Sequence, residues 1–125
     1  MSSNPQIPPV VQEQLARLQQ TQQNFQSIMM QKQQLESEKL ETEKALEELK
    51  KASDDESVFK HAGTIMIKSN KKDLIEELEE QVELAKTKAS LLVKQEERLK
   101  TTLKEQETKI QEIMKNPSTN TNPPK

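Results

Sequence analysis

Few side chains in this sequence could carry chemistry, and their spacing argues against each familiar use. His61 is the single histidine, and the chain has no cysteine. One imidazole with no thiol beside it makes a poor metal or acid–base site, so His61 reads as a strand or interface residue. Without cysteine there can be no disulfide, zinc finger or thiol nucleophile, which fits a reducing compartment. Asp54, Asp55 and Glu56 form an unbroken carboxylate run. A calcium loop spaces its oxygen ligands and bends at a central glycine; this run does neither and reads as a solvated turn. Gly63 is the only glycine, so no Gly-rich phosphate cradle is possible. These residues point to no enzyme, no metal and no cofactor.

Composition narrows the fold. Of 125 residues, 30% are hydrophobic and 32% charged, and the only aromatic rings are Phe25 and Phe59. A compact globule of this length needs more apolar volume. The alternatives are disorder or an elongated helical form with a narrow apolar seam. The lone glycine opposes disorder, and so does the wealth of Gln, Glu, Lys and Leu between Pro9 and Pro117, all good helix formers. Net charge is −2 with both signs interspersed. No basic face emerges, and neither Trp nor Tyr is present to stack bases, so nucleic acid is not an expected partner. The polar, Pro-rich start lacks the basic residues and apolar run of a signal peptide. No apolar stretch approaches membrane-spanning length, so no membrane contact is expected and the expected location is cytoplasmic.

All six prolines fall within residues 1–9 and 116–125, which read as disordered tails. Between them a single domain is expected over 10–115, with a helix at 10–51, a β-hairpin at 57–68 and a helix at 70–115. The first helix opens on one heptad frame, Val11, Leu15, Leu18, Gln22, Phe25 and Met29. A phase slip near Ile28 leads to a second frame with Ile28, Lys32, Leu35, Lys39, Thr42, Leu46 and Leu49. Leu40 fits neither frame. The second helix keeps one frame: Ile75, Leu78, Val82, Ala85, Ala89, Leu92, Glu96, Leu99, Leu103, Gln106, Ile110 and Ile113. Ten of those twelve are apolar, which a solvated helix would not sustain, so a coiled coil is expected. Polar seam residues such as Lys32, Lys39, Glu96 and Gln106 read as side chains that snorkel out of a narrow seam. Asn70 suits an N-cap, with Asp73 in the first turn.

The segment from Val58 to Lys68 holds the densest β-branched cluster and has Gly63 near its middle. It reads as a β-hairpin turning at Gly63. Alternation puts Phe59 and His61 on one face of the first strand and Ile65 and Ile67 on one face of the second. Two helices of nearly equal length around a short hairpin should fold back on each other. The fold class is therefore mainly α: a long antiparallel coiled-coil hairpin with a β-hairpin at the bend. Facing residue numbers should add to about 124, which sets Phe25 against Leu99, Leu35 against Ala89 and Leu46 against Leu78. A two-stranded hairpin is marginal alone and exposes two edges. The expected solution is a sheet or barrel shared between chains, with Val58, Phe59, Ile65 and Ile67 as the oligomerisation residues.

The run from Val58 to Lys68 between two heptad helices resembles the hairpin of prefoldin beta subunits. So do the Gln-rich helix over 15–34, with Met29-Met30-Gln31-Lys32, and the segment Lys94-Gln95-Glu96-Glu97-Arg98-Leu99. The resemblance covers residues 8–114. It implies a hexamer of two alpha and four beta subunits whose hairpins form an intersubunit β-barrel. It also implies that unfolded proteins are gripped near the coiled-coil tips and passed to a group II chaperonin. The single short hairpin insert fits the beta class. His61 departs from the family pattern, where that position is usually apolar.

Eleven glutamines lie within residues 1–34, with only Glu13, Arg17 and Lys32 charged. Such a weakly charged surface would tolerate clients of either sign. Apolar residues at the two helix ends could supply the grip: Val10, Val11, Leu15, Leu18, Ile110, Ile113 and Met114. Terminal layers have few neighbours beyond them, so the seam is expected to splay and expose these side chains. The leading function is an ATP-independent chaperone subunit, a holdase. The alternative is a structural or tethering coiled coil that binds no client.

Overall fold

A computed structural model describes residues 7–115. The tails expected over 1–9 and 116–125 lie outside the described residues, save for residues 7–9. The chain runs helix α1 (Pro9–Lys51), strand β1 (Val58–Ala62), strand β2 (Ile65–Ser69) and helix α2 (Lys71–Lys115).

Each boundary has a local cause. The Pro8 carbonyl accepts from the Val11 N–H at 2.9 Å and the Gln12 N–H at 3.0 Å. Pro9 then takes the first helical position, where its missing N–H costs nothing because no helical partner exists there. Lys50 and Lys51 close α1 at the negative end of its dipole. The Lys71 ammonium donates to the Ala52 carbonyl at 2.7 Å and to Asp54 at 3.2 Å, which ties the stop of α1 to the start of α2. Asn70 is the N-cap of α2: its Oδ1 accepts from the Asp73 N–H at 2.9 Å, and its Nδ2 donates back to the Asp73 carboxylate at 2.8 Å.

β1 and β2 pair antiparallel, with Ala62 opposite Ile65 and Val58 opposite Ser69. Gly63 and Thr64 make the two-residue turn. Gly63 has φ of 65°, and no non-glycine residue described has positive φ. Positive φ at the first central position alone is the type II′ turn, whose twist matches that of paired strands.

The chain divides into two compact units. The end unit joins Met1–Met30 with Val93–Lys125, and the hairpin unit is Gln31–Leu92. Each thus contains one stretch of α1 and one of α2, as antiparallel return of the chain requires.

All twelve expected seam positions of α2 are buried or half-buried. The frame of α1 differs from expectation. Its covered positions run Val11, Gln14, Leu18, Thr21, Phe25 and Ile28 in the end unit. In the hairpin unit they run Lys32, Leu35, Lys39, Thr42, Leu46 and Leu49. Steps of three and four alternate throughout, so there is no phase slip. Leu15 and Gln22, expected in the seam, are exposed, and Met29 sits one position off it. Polar Gln14 and Thr21 occupy those layers instead. Thr21 is tolerated because its hydroxyl bonds back to the Arg17 carbonyl at 3.0 Å, which leaves its methyl for packing. Leu40 lies on the outer surface.

The covered positions of the two helices mirror each other: Val11 with Ile113, Phe25 with Leu99, Leu35 with Ala89, Leu46 with Leu78, each pair of numbers adding to 124. Cysteines placed at Phe25 and Leu99 should therefore form a disulfide within one chain. Non-reducing electrophoresis reads this directly. A product found only as a cross-linked dimer would contradict the register.

Candidate binding surfaces

At two places, groups of exposed apolar side chains coincide with sites expected from the sequence. The first is the hairpin. Cross-strand register decides its faces, because residues directly opposite share one face and alternate residues change face. Phe59 pairs with Lys68 and His61 with Met66, so these four share a face. Val58, Lys60, Ala62, Ile65, Ile67 and Ser69 share the other. Phe59 therefore points away from Val58, Ile65 and Ile67, so the four expected oligomerisation residues do not share one face. The two-residue turn causes this: with Ala62 opposite Ile65, odd-numbered residues of β1 face with even-numbered residues of β2. Phe59, Ile65, Met66 and Ile67 are all exposed, and Val58 is half-buried. Lys60, on the isoleucine face, reaches Glu77 of α2 at 3.5 Å. The hairpin thus exposes apolar side chains on both faces.

The second place is the outer ends of α1 and α2, where seven residues were expected to form a grip. The seam there does not splay. Val11 and Ile113 are only 3% and 5% exposed, among the most buried side chains described. Leu18 and Ile110 are half-buried. Val11, Leu18, Ile110 and Ile113 hold the end unit together and face inward. The exposed members are Val10, Leu15 and Met114, and Ile7 joins them although the sequence reading passed over it. Ile7 precedes the helix and belongs to no heptad frame, so periodicity could not mark it; its carbonyl accepts from the Gln12 side chain at 2.9 Å.

Heptad arithmetic shows how Leu15 and Met114 are placed. Lys50 and Glu79 form an ion pair across the two helices at 3.7 Å. Leu15 lies five heptads before Lys50, and Met114 lies five heptads after Glu79. The position that carries an ion pair in the hairpin unit therefore carries two apolar side chains in the end unit, 40% and 63% exposed. An exposed pair of charges contributes little to stability. The exchange therefore costs the coil little and leaves the apolar edge open.

Inside the end unit the seam holds an orphan. The Gln106 Oε1 is buried and accepts no hydrogen bond. A buried unpaired amide oxygen costs about 1–3 kcal/mol. Gln106→Leu should raise thermal stability by several degrees, measured by the helical circular dichroism signal. An unchanged or lowered midpoint would show that this oxygen is satisfied in solution.

Nothing in the described residues resembles a reaction centre. No cluster of three or more metal-ligating side chains exists among them. A surface hollow of about 530 Å³ beside the hairpin is bordered by Asp54, Lys71, Glu76 and Glu79. Three of these four charges are already paired, Lys71 with Asp54 and Glu79 with Lys50. No described helix is long and apolar enough to cross a membrane.

Comparison with known proteins agrees with this architecture. The family described as Prefoldin subunit matches residues 12–116. The chain belongs to the prefoldin family. A prefoldin subunit beta of Methanococcoides burtonii is 50% identical over 93 residues, covering 74% of this chain and 80% of the relative. One from Archaeoglobus fulgidus is 40% identical over 108 residues, covering 86% and 93%. The crystal structure of the prefoldin beta subunit from Thermococcus strain KS-1 superposes with a TM-score of 0.74 at 37% identity, over 86% of this chain and 94% of that one. Members of the prefoldin family are chaperone subunits. The two long helices and single antiparallel hairpin are the prefoldin beta fold.

Proposed function

We propose that this prefoldin chain acts as one domain over 10–115, a subunit of an ATP-independent holdase. In this reading its hairpin joins those of an alpha partner and other beta subunits, two alpha with four beta, in a shared barrel. The outer helix ends bind unfolded proteins and deliver them to a group II chaperonin in the cytoplasm. The observation that carries the client-binding reading is the exposed pair Leu15 and Met114, set where the same coil elsewhere holds an ion pair. A coil built only to tether would keep charges there.

Each end offers a few apolar side chains, so a single contact is weak, and several ends acting together raise the hold through effective concentration. Binding the unfolded state by mass action needs no nucleotide. The test is light scattering from a chemically denatured protein diluted into the assembled oligomer. The expected result is suppression of aggregation that ATP does not alter. A tether would leave scattering unchanged, and that result would end the holdase reading.

A further inference from the structure

The end unit has two unlike edges. Met29 and Val93 belong to the same heptad class as Leu15 and Met114: each lies a whole number of heptads from Lys50 or Glu79, the pair that meets across the helices. All four therefore lie on one edge of the coil. Val93 is 41% exposed, and Met29 is half-buried. The opposite edge is made by residues that precede a seam position. There Arg17, Asn24, Gln95 and Lys109 are exposed and polar, with Val10 the one exposed apolar side chain at its end.

The apolar residues on the first edge form two patches. Leu15 and Met114 make the outer one. Met29 follows Ile28 and Val93 follows Leu92, in neighbouring layers, so these two make the inner one. Polar Gln22, Lys100 and Glu107 separate the patches. The separation is two heptads along α1 and three along α2, roughly 20–30 Å at 1.5 Å per residue.

We infer that the end unit holds an unfolded polypeptide at two points along this one edge, the outer patch Leu15/Met114 and the inner patch Met29/Val93. The inference rests on the proposed holdase function and adds the path of the client. A helix from another coiled coil does not fit this edge. It would need apolar contacts every three or four residues, and the edge offers them two or three heptads apart. An extended chain fits, because at about 3.3 Å per residue it spans the gap with roughly six to nine residues. The separating residues carry both signs and an uncharged amide, so they select no client charge. Two weak contacts on one chain act together once the first has formed.

The test uses the full-length chain in its assembled form and two uncharged fluorescent peptides, each with two Leu-Leu pairs. In one the pairs are separated by eight Gly/Ser residues, in the other by two. Anisotropy should show the widely spaced peptide bound about tenfold more tightly. Met29→Gln with Val93→Gln should erase that preference while the helical circular dichroism stays unchanged, since neither position is in the seam. Leu15→Gln with Met114→Gln should weaken both peptides. Equal affinity for the two peptides, or a preference that survives the Met29/Val93 change, overturns the inference and leaves the holdase reading standing. Undiminished binding by the Leu15/Met114 variant overturns that reading as well.

Discussion

Replacing Ile65 and Ile67 with serine should dissociate the oligomer while leaving most of the helical signal intact. Both side chains lie on the face shared with Val58, and both are exposed in the single chain. Fully burying an exposed isoleucine contributes about 1.5–3 kcal/mol, and about half of each side chain remains to be covered here, so the pair contributes roughly 1.5–3 kcal/mol per hairpin. That corresponds to a dissociation constant raised by about one to two orders of magnitude. The helices keep their own seam, from Leu49 and Ile75 outward, and do not need the hairpin face to pair. Phe59→Ser with Met66→Ser tests the opposite face separately. Native mass spectrometry with an alpha partner present reads both variants. If the Ile65/Ile67 variant stays fully assembled, the isoleucine face is not the joint.

A second large effect is expected at the helix ends. Changing Ile7, Val10, Leu15 and Met114 to serine should remove most suppression of client aggregation without disturbing assembly. All four are exposed, so their loss opens no cavity, whereas Val11 and Ile113 are buried and their truncation would loosen the coil itself. The contrast separates grip from scaffold. Serine at the four exposed sites should lower holdase activity at constant melting temperature. Ala at Val11 and Ile113 should lower the melting temperature first. Full protection by the four-site variant would place the grip elsewhere on the chain.

The seam of α2 was legible because ten of its twelve positions are apolar. The seam of α1 was not, because Gln14 and Thr21 occupy two covered layers while Leu15 stands beside one of them in solvent. Apolar patterning follows the leucine, and only the packed structure shows that the glutamine is the one turned inward. The lost frame hid the apolar edge as well, since Leu15 and Met29 had been assigned to the seam. The hairpin shows a related limit. Alternation within each strand was readable, but the relation between strands depends on turn length by a single residue. Gly63 marks the bend; it does not say how many residues make it. The cap of α2 was readable, since Asn70 and Asp73 act on each other three positions apart.

The measurement that bears most directly on client binding at the helix ends is site-specific photo-cross-linking. A benzophenone side chain replaces Leu15 in one sample of the assembled oligomer and Leu84 in another. Leu84 is also exposed but lies on α2 in the hairpin unit, away from the Lys50–Glu79 edge. Each is irradiated with a chemically denatured client, without nucleotide. The account predicts client adducts at position 15 and few at position 84. Equal labelling at both positions, or adducts at position 84 alone, would contradict it.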